Sequence, residues 1–281
     1  MATNLLISHP DIWFRSNGYN WNIAASASDR FQSGSTDLHR LNAMTGPRSQ
    51  YFKCTTAIDE VRWEFSLPSG TTSTVDHFIL ARMDYLLNLS ATTYNFEVRG
   101  SASTTFAAGA LLSDTTIGAG DLIDFDYINY ISTPTAAFRY WQVILWATGS
   151  ASLNHIFSKM YLGLMFDMGK DPENIDIEKV PLHENQFYPA SGAVHLGRID
   201  KSIHRFTIEW VGISDDKTTD FMNKIARYKH WHTYFLYTQT NHEVLDSRRL
   251  VHCRLTEAST SNPFAAANTN SITATFEEVL G

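Results

Sequence analysis

The chain has 281 residues, of which 43% are hydrophobic, 13% aromatic and only 18% charged, and roughly a fifth are Ser or Thr. This composition excludes a disordered chain, which is charge-rich and aromatic-poor, and disfavours a helical bundle built on Ala, Leu, Glu and Lys. The net charge of −7 and the scattered basic residues exclude the cationic stripe that a nucleic-acid partner requires.

At about 100–200 residues per domain, this length suits one large domain or two small ones, with core enough to fold without disulfides or metal. The N-terminus has no basic region and too short an apolar run for a signal peptide. No stretch reaches the ~20 apolar residues of a membrane-spanning helix. The expectation is a protein that assembles in the cytoplasm and does not insert into a membrane.

Asn4 to Ile7 is short and apolar and predicts an opening strand. Asp11 to Gln50 is punctuated by Gly18, Gly34 and the Gly46-Pro47 pair, which predicts loops. Trp13, Phe14, Tyr19 and Trp21 stand in that loop region. Val61, Trp63 and Phe65 alternate with Arg62 and Glu64, the period of a strand with one wet face. Val75 to Ala81 and Asn95 to Arg99 predict two more strands. Ala102 to Asp121, small and polar, predicts a long surface loop.

Ala136 to Trp146, rich in aromatic and β-branched residues, predicts a central strand buried on both faces. Lys159 to Phe166 predicts a strand with a bulge at Gly163. Residues 168–185 hold Gly169, Pro172 and a run of charges, which predicts a linker between two domains, 1–167 and 186–281.

Beyond it, Phe206, Ile208 and Trp210 alternate with Thr207 and Glu209 as another strand. Ser214 predicts an N-cap, with Asp215 and Asp216 placed favourably in the first turn. Phe221, Met222, Ile225 and Tyr228 recur at helical spacing, predicting a helix of about four turns. Strands at Tyr234–Tyr237, Leu250–Leu255 and Ile272–Phe276 complete the pattern. The expected fold is mainly β, a β-sandwich followed by a smaller β-rich domain with one short helix.

Catalytic signatures are absent: the chain has no G-x-S-x-G elbow, no G-x-x-x-x-G-K-[ST] loop and no G-x-G-x-x-G turn. Cys54 and Cys253 each lie in an apolar, strand-like context and predict buried free thiols. Among the eleven histidines, His230 and His232 share a spacing that puts both rings on one strand face, with His242 and His252 following. No acidic or thiol residue stands at a companion spacing for a metal, so no metal and no cofactor is expected. Asp121, Asp124 and Asp126 form an acidic cluster of hard oxygen donors that would suit calcium, against the reading of a solvated face. A glycosidic acid pair drawn from distant positions stays open, with nothing singling one out. Trp13, Tyr19 and Trp21 could stack on sugar rings or cover a protein interface, since amphipathic aromatics serve both.

Val61-Arg62-Trp63-Glu64-Phe65, Val75 to Arg82, and Phe96-Glu97-Val98-Arg99-Gly100-Ser101 together resemble the discoidin-like (F5/8 type C, galactose-binding-like) jelly roll. Phe138-Arg139-Tyr140-Trp141-Gln142-Val143 and Ile156 through Gly163 are similar to that family's closing strands. Met83-Asp84 stands where the family often has His-Asn after the arginine. The resemblance covers roughly residues 1–167, and Arg82 and Asp84 at this corner join the loop aromatics Trp13, Tyr19 and Trp21 as the candidate glycan or partner contacts.

The second half, Arg205 to Leu255, resembles bacteriophage tail proteins that pair such a jelly roll with a small second domain. That resemblance implies a structural virion protein of the tail tip or baseplate, with no catalytic residues. It would bind other tail proteins and form a homo-oligomer in a symmetric assembly. The alternative is a carbohydrate-binding module or adhesin for host-surface glycans. Either would use a surface of Ser, Thr and exposed aromatics.

Overall fold

The structure is a computed structural model and describes residues 5–9, 52–53, 60–81, 93–104, 106, 110–117, 122–123, 126–131, 135–148, 156–157, 159–181, 202–228, 233–238, 250–262 and 269–279. It is mainly β. The chain divides into two compact units, one of residues 8–165 and one of residues 166–280 with 1–7.

Strand β1 (Leu5–His9) opens the chain. The N-terminal unit continues with β2 (Phe52–Lys53), β3 (Glu60–Ser66), β4 (His77–Ala81), β5 (Thr93–Ser101) and β6 (Ala110–Ile117). Then come β7 (Leu122–Ile123), β8 (Asp126–Tyr130), β9 (Tyr140–Thr148), β10 (Ile156–Phe157) and β11 (Lys159–Asp167). One sheet runs β3-β9-β5-β6; the facing strands run β11-β4-β8-β7; β10 and β2 pair separately. The chain crosses repeatedly between the two layers, in the jelly-roll manner.

The layers meet through aromatic rings. Phe96 of β5 lies 4.9 Å from Phe78 of β4 and 5.4 Å, edge-on, from Tyr127 of β8. Offset and edge-on contacts of this kind add to simple burial. β9 is central, between β3 and β5, and Trp141, Gln142, Val143 and Ile144 are all buried. Its continuous apolar run therefore reports burial on both faces. Arg139, just before β9, is a framework residue: its Nε donates to the Leu67 carbonyl at 3.1 Å.

Two expectations fail in this unit. The stretch read as a surface loop contains β6, which pairs with β5 across two register irregularities. The adjacent Leu111 and Leu112 and the polar run Ser113 to Thr116 break the period-2 pattern and hide the strand, whose last residue, Ile117, is buried. Gly163 is not a bulge: it sits in register opposite His77, and its carbonyl accepts from the Asp76 N–H at 2.9 Å.

The C-terminal unit contains β12 (Asn174–Pro181), β13 (Ser202–Ser214), β14 (Tyr234–Thr238), β15 (Leu250–Ser261) and β16 (Thr269–Glu278). Its strands run β12-β13-β16-β15-β14-β1, all antiparallel. Residues 168–185 are therefore not simply a linker. Ile175 and Ile177 alternate with Asp176 and Glu178 and pair with Ile208 and Phe206. The alternation is that of an amphipathic strand, which the charges mask in composition. The opening strand also belongs here, since Leu5, Leu6 and Ile7 pair with Thr238, Tyr237 and Leu236.

One face of this sheet carries Phe206, Ile208, Trp210, Ile272 and Phe276, all buried in a common core with Phe221 of the helix. Helix α1 (Asp215–Lys224) follows β13 directly. Gly212 makes that junction: its φ of +77° and the register slip between Val211 and Ile213 form a bulge. A side chain there would be strained by the backbone and would crowd Lys170 Nζ, 3.3 Å from its Cβ position. Ser214 caps the helix by accepting from the Lys217 N–H, as its position predicts. The helix is shorter than the apolar spacing suggests. It ends at Ile225, whose carbonyl accepts the buried Tyr234 hydroxyl at 2.8 Å, and a 3-10 turn over Ala226–Tyr228 follows. No described helix is long and apolar enough to cross a membrane.

Candidate functional site

Two polar constellations stand out. The first lies in the N-terminal unit, where Asp76 and His77 interrupt an otherwise apolar segment. His77 Nδ1 is 2.9 Å from Asp76 Oδ1, and His77 Nε2 is 3.0 Å from Ser8 Oγ. A carboxylate only accepts, so Nδ1 carries a hydrogen and donates. In the neutral ring Nε2 then accepts from the Ser8 hydroxyl. The connectivity is that of a nucleophile, base and orienting acid.

Its setting is not that of a catalyst. Ser8 and His77 are both 0% exposed, so no substrate atom reaches the hydroxyl. The same Asp76 oxygen also accepts from the Met165 N–H at 2.9 Å. The Asp76 backbone bonds to Gly163 and Ile131. The three side chains thus satisfy one another and fasten strand backbone, as buried polar groups must.

The second constellation lies on the outer face of the C-terminal sheet. Register places Glu178, Arg205, Glu277 and Arg254 side by side across β12, β13, β16 and β15. Arg205 reaches Glu178 at 3.0 Å and Glu277 at 2.8 Å, and Arg254 reaches Glu277 at 2.9 Å. The hydrogen bond from Arg205, then that from Arg254, holds the Glu277 carboxyl below its ordinary range. The hydrogen bond to Glu277 likewise pushes the Arg205 guanidinium further up. Next along the face, Asp176, Thr207, Thr275 and Glu257 form a second row.

A depressed carboxyl stabilises the fold above its unfolded pKa, near the ordinary 4.5, and this contribution fades as pH falls through the lower folded value. Stability of the wild type should therefore drop more steeply than that of Glu277→Gln below about pH 4.5. Urea midpoints measured from pH 3 to 7 check this; parallel curves would contradict it.

No family model matches the chain, and no curated protein matches it. Among solved structures, it is similar to chitosan-binding module 1 of a chitosanase/glucanase from Paenibacillus sp. IK-5, at 15% identity and a TM-score of 0.31. That alignment covers 46% of this chain and 86% of the module. It is also similar to a GH29 fucosidase of Ruminococcus gnavus, at 14% identity and a TM-score of 0.32, over 49% of this chain and 23% of the enzyme.

The residues expected to bind a ligand, Trp13, Tyr19, Trp21, Arg82 and Asp84, lie outside the described residues, as do Asp121 and Asp124. Asp126 begins β8 opposite Ile123; its side chain is outside the described residues. His230, His232, His242 and Cys54 also lie outside them. His252 is buried and stacks on Phe235 at 4.6 Å. Cys253 is a buried free thiol, as its apolar context predicts. Burial pushes its pKa well up, which keeps the sulfur protonated and a poor nucleophile. Among the described residues, no three His, Cys, Asp or Glu gather to hold a metal. Among the described residues, Tyr228, at 37%, is the one large exposed hydrophobic residue.

Neither constellation is visible in the sequence as a site. The Asp76-His77 pair inside an apolar strand was a usable signal, but Ser8 stands 69 residues away. The charge row is assembled by strand register alone.

Proposed function

We propose that the chain is a non-enzymatic structural component of a bacteriophage tail, in the tip or baseplate region, that binds neighbouring virion proteins. The observation that carries the non-enzymatic part is the fate of the Ser8–His77–Asp76 chain. The group best arranged for nucleophilic chemistry is sealed from solvent and spent on holding strands. Cys253, the described thiol, is buried as well. The tail assignment is supported by the resemblance of residues 205–255 to tail proteins and by the succession of two β-rich units.

Mass spectrometry of particles purified through a density gradient tests the reading. The chain should be present in a fixed ratio to the other tail proteins and persist through a salt wash. Its absence from washed particles would refute the proposal.

A further inference from the structure

We propose that the edge of β12 that is unpaired among the described residues receives an extended segment of another protein, with basic side chains at alternate positions and apolar ones between them. The inference rests on the assembly reading only in taking the occupant to be a protein.

β12 ends the strand order of its sheet, and among the described residues it pairs with β13 alone. Its pairing runs without a register slip over eight residues, Asn174 to Pro181. Half of its backbone donors and acceptors therefore point away from the sheet, which is the template for strand addition.

The two faces of the edge specify what fits. On the outer face, the row Glu178, Arg205, Glu277, Arg254 alternates in sign across four strands. A strand added beyond Glu178 continues that alternation when it brings a cation. Glu178 has a side chain 62% exposed, so it can reach outward as well as towards Arg205. Asp176, two residues back on the same face, is exposed and has no cation against it among the described residues. A second basic residue two positions along the partner would meet it.

On the inner face, Ile175 and Ile177 pack against the core but are only partly buried. Apolar residues between the basic ones would extend their cover.

The same charges disfavour a second copy of the chain. If two β12 strands paired antiparallel, outer-face residues would oppose one another, so Asp176 and Glu178 would meet each other, Asn174 or Val180, and no base. Like charges directly opposite are destabilising. The acids act as a filter: they disfavour a copy and accept a basic strand.

The test uses the full chain and two labelled octapeptides, one alternating lysine with valine and one alternating glutamate with valine. Fluorescence anisotropy reads binding, and hydrogen exchange reads where it occurs. The lysine peptide should bind, slow exchange within residues 174–181, and lose affinity as salt is added. Asp176→Lys, at an exposed side chain whose loss leaves the fold intact by circular dichroism, should weaken it about twofold to fivefold.

Equal binding of the glutamate peptide would overturn the proposal. So would lysine-peptide binding that leaves exchange at 174–181 unchanged, or no binding at all. Self-association strengthened by Asp176→Lys would assign the edge to a second copy instead. Failure here with the chain still present in washed particles removes the edge and leaves the assembly reading standing; absence from the particles removes that reading itself.

Discussion

Asp76→Ala should lower the unfolding free energy by about 2–6 kcal/mol, because it strands two buried donors at a cost of about 1–3 kcal/mol each. Asp76 Oδ1 accepts from both His77 Nδ1 and the Met165 N–H. Without it, neither hydrogen has a partner in a region closed to water. Such a loss is a large share of the ~5–15 kcal/mol that holds a typical domain together. Asp76→Asn keeps an acceptor oxygen in place and should cost clearly less. Urea denaturation followed by tryptophan fluorescence measures both. Equal effects of the two variants would mean that charge, not hydrogen bonding, is what Asp76 contributes. A change below about 0.5 kcal/mol for Asp76→Ala, the range of ordinary surface substitutions, would mean that the buried chain is not a structural keystone.

The second large effect belongs to α1. Phe221 is the fully buried side chain of this helix, with its ring 6.0 Å from Phe166 and 6.2 Å from Trp210. Removing the ring leaves a cavity that the rigid sheet beneath cannot fill, so Phe221→Ala should cost about 3–5 kcal/mol. Phe221→Leu retains most of the volume and should cost about 1–2 kcal/mol. The polar ties of the helix, Lys217 Nζ to the Asp167 carbonyl and Asn270 Nδ2 to Asp215 Oδ1, are exposed and will not compensate. Helical signal in the far ultraviolet should fall before the β signal as Phe221→Ala is titrated with urea. A single coincident transition with a wild-type midpoint would contradict the idea that this ring docks the helix.

Strong local periodicity makes several of these elements legible in the sequence. The alternations at Val61–Phe65 and Phe206–Trp210, the buried run of β9, and the Ser214 cap with its two acids all carry their own evidence within a few residues. The misread elements are those whose pattern is diluted. In β12, Ile175 and Ile177 alternate correctly, but Asp176, Glu178 and Lys179 make the segment look like a solvated linker. In β6, Leu111 and Leu112 are adjacent and a polar run separates them from Ile117, so no alternation shows.

The polar constellations fail for a different reason. Glu178, Arg205, Glu277 and Arg254 become neighbours through the register of four strands, and Ser8 meets His77 across 69 residues of chain. Composition and periodicity are local quantities and hold no information about register. The aromatic and acidic residues singled out for ligands, from Trp13 to Asp84 and at Asp121 and Asp124, lie outside the described residues, so only chemistry recommends them.

These features fit the proposed role of a protein that works by being bound. Its buried hydroxyl, imidazole and carboxylate secure the framework, its described thiol is sealed, and its charged strand edge is unpaired among the described residues. Electron cryomicroscopy of the intact tail tests that account most directly. The account predicts symmetry-related copies of the chain in the tip or baseplate, with β12 of each lying against an extended segment of a different protein. A tail without density for either β-rich unit would contradict it.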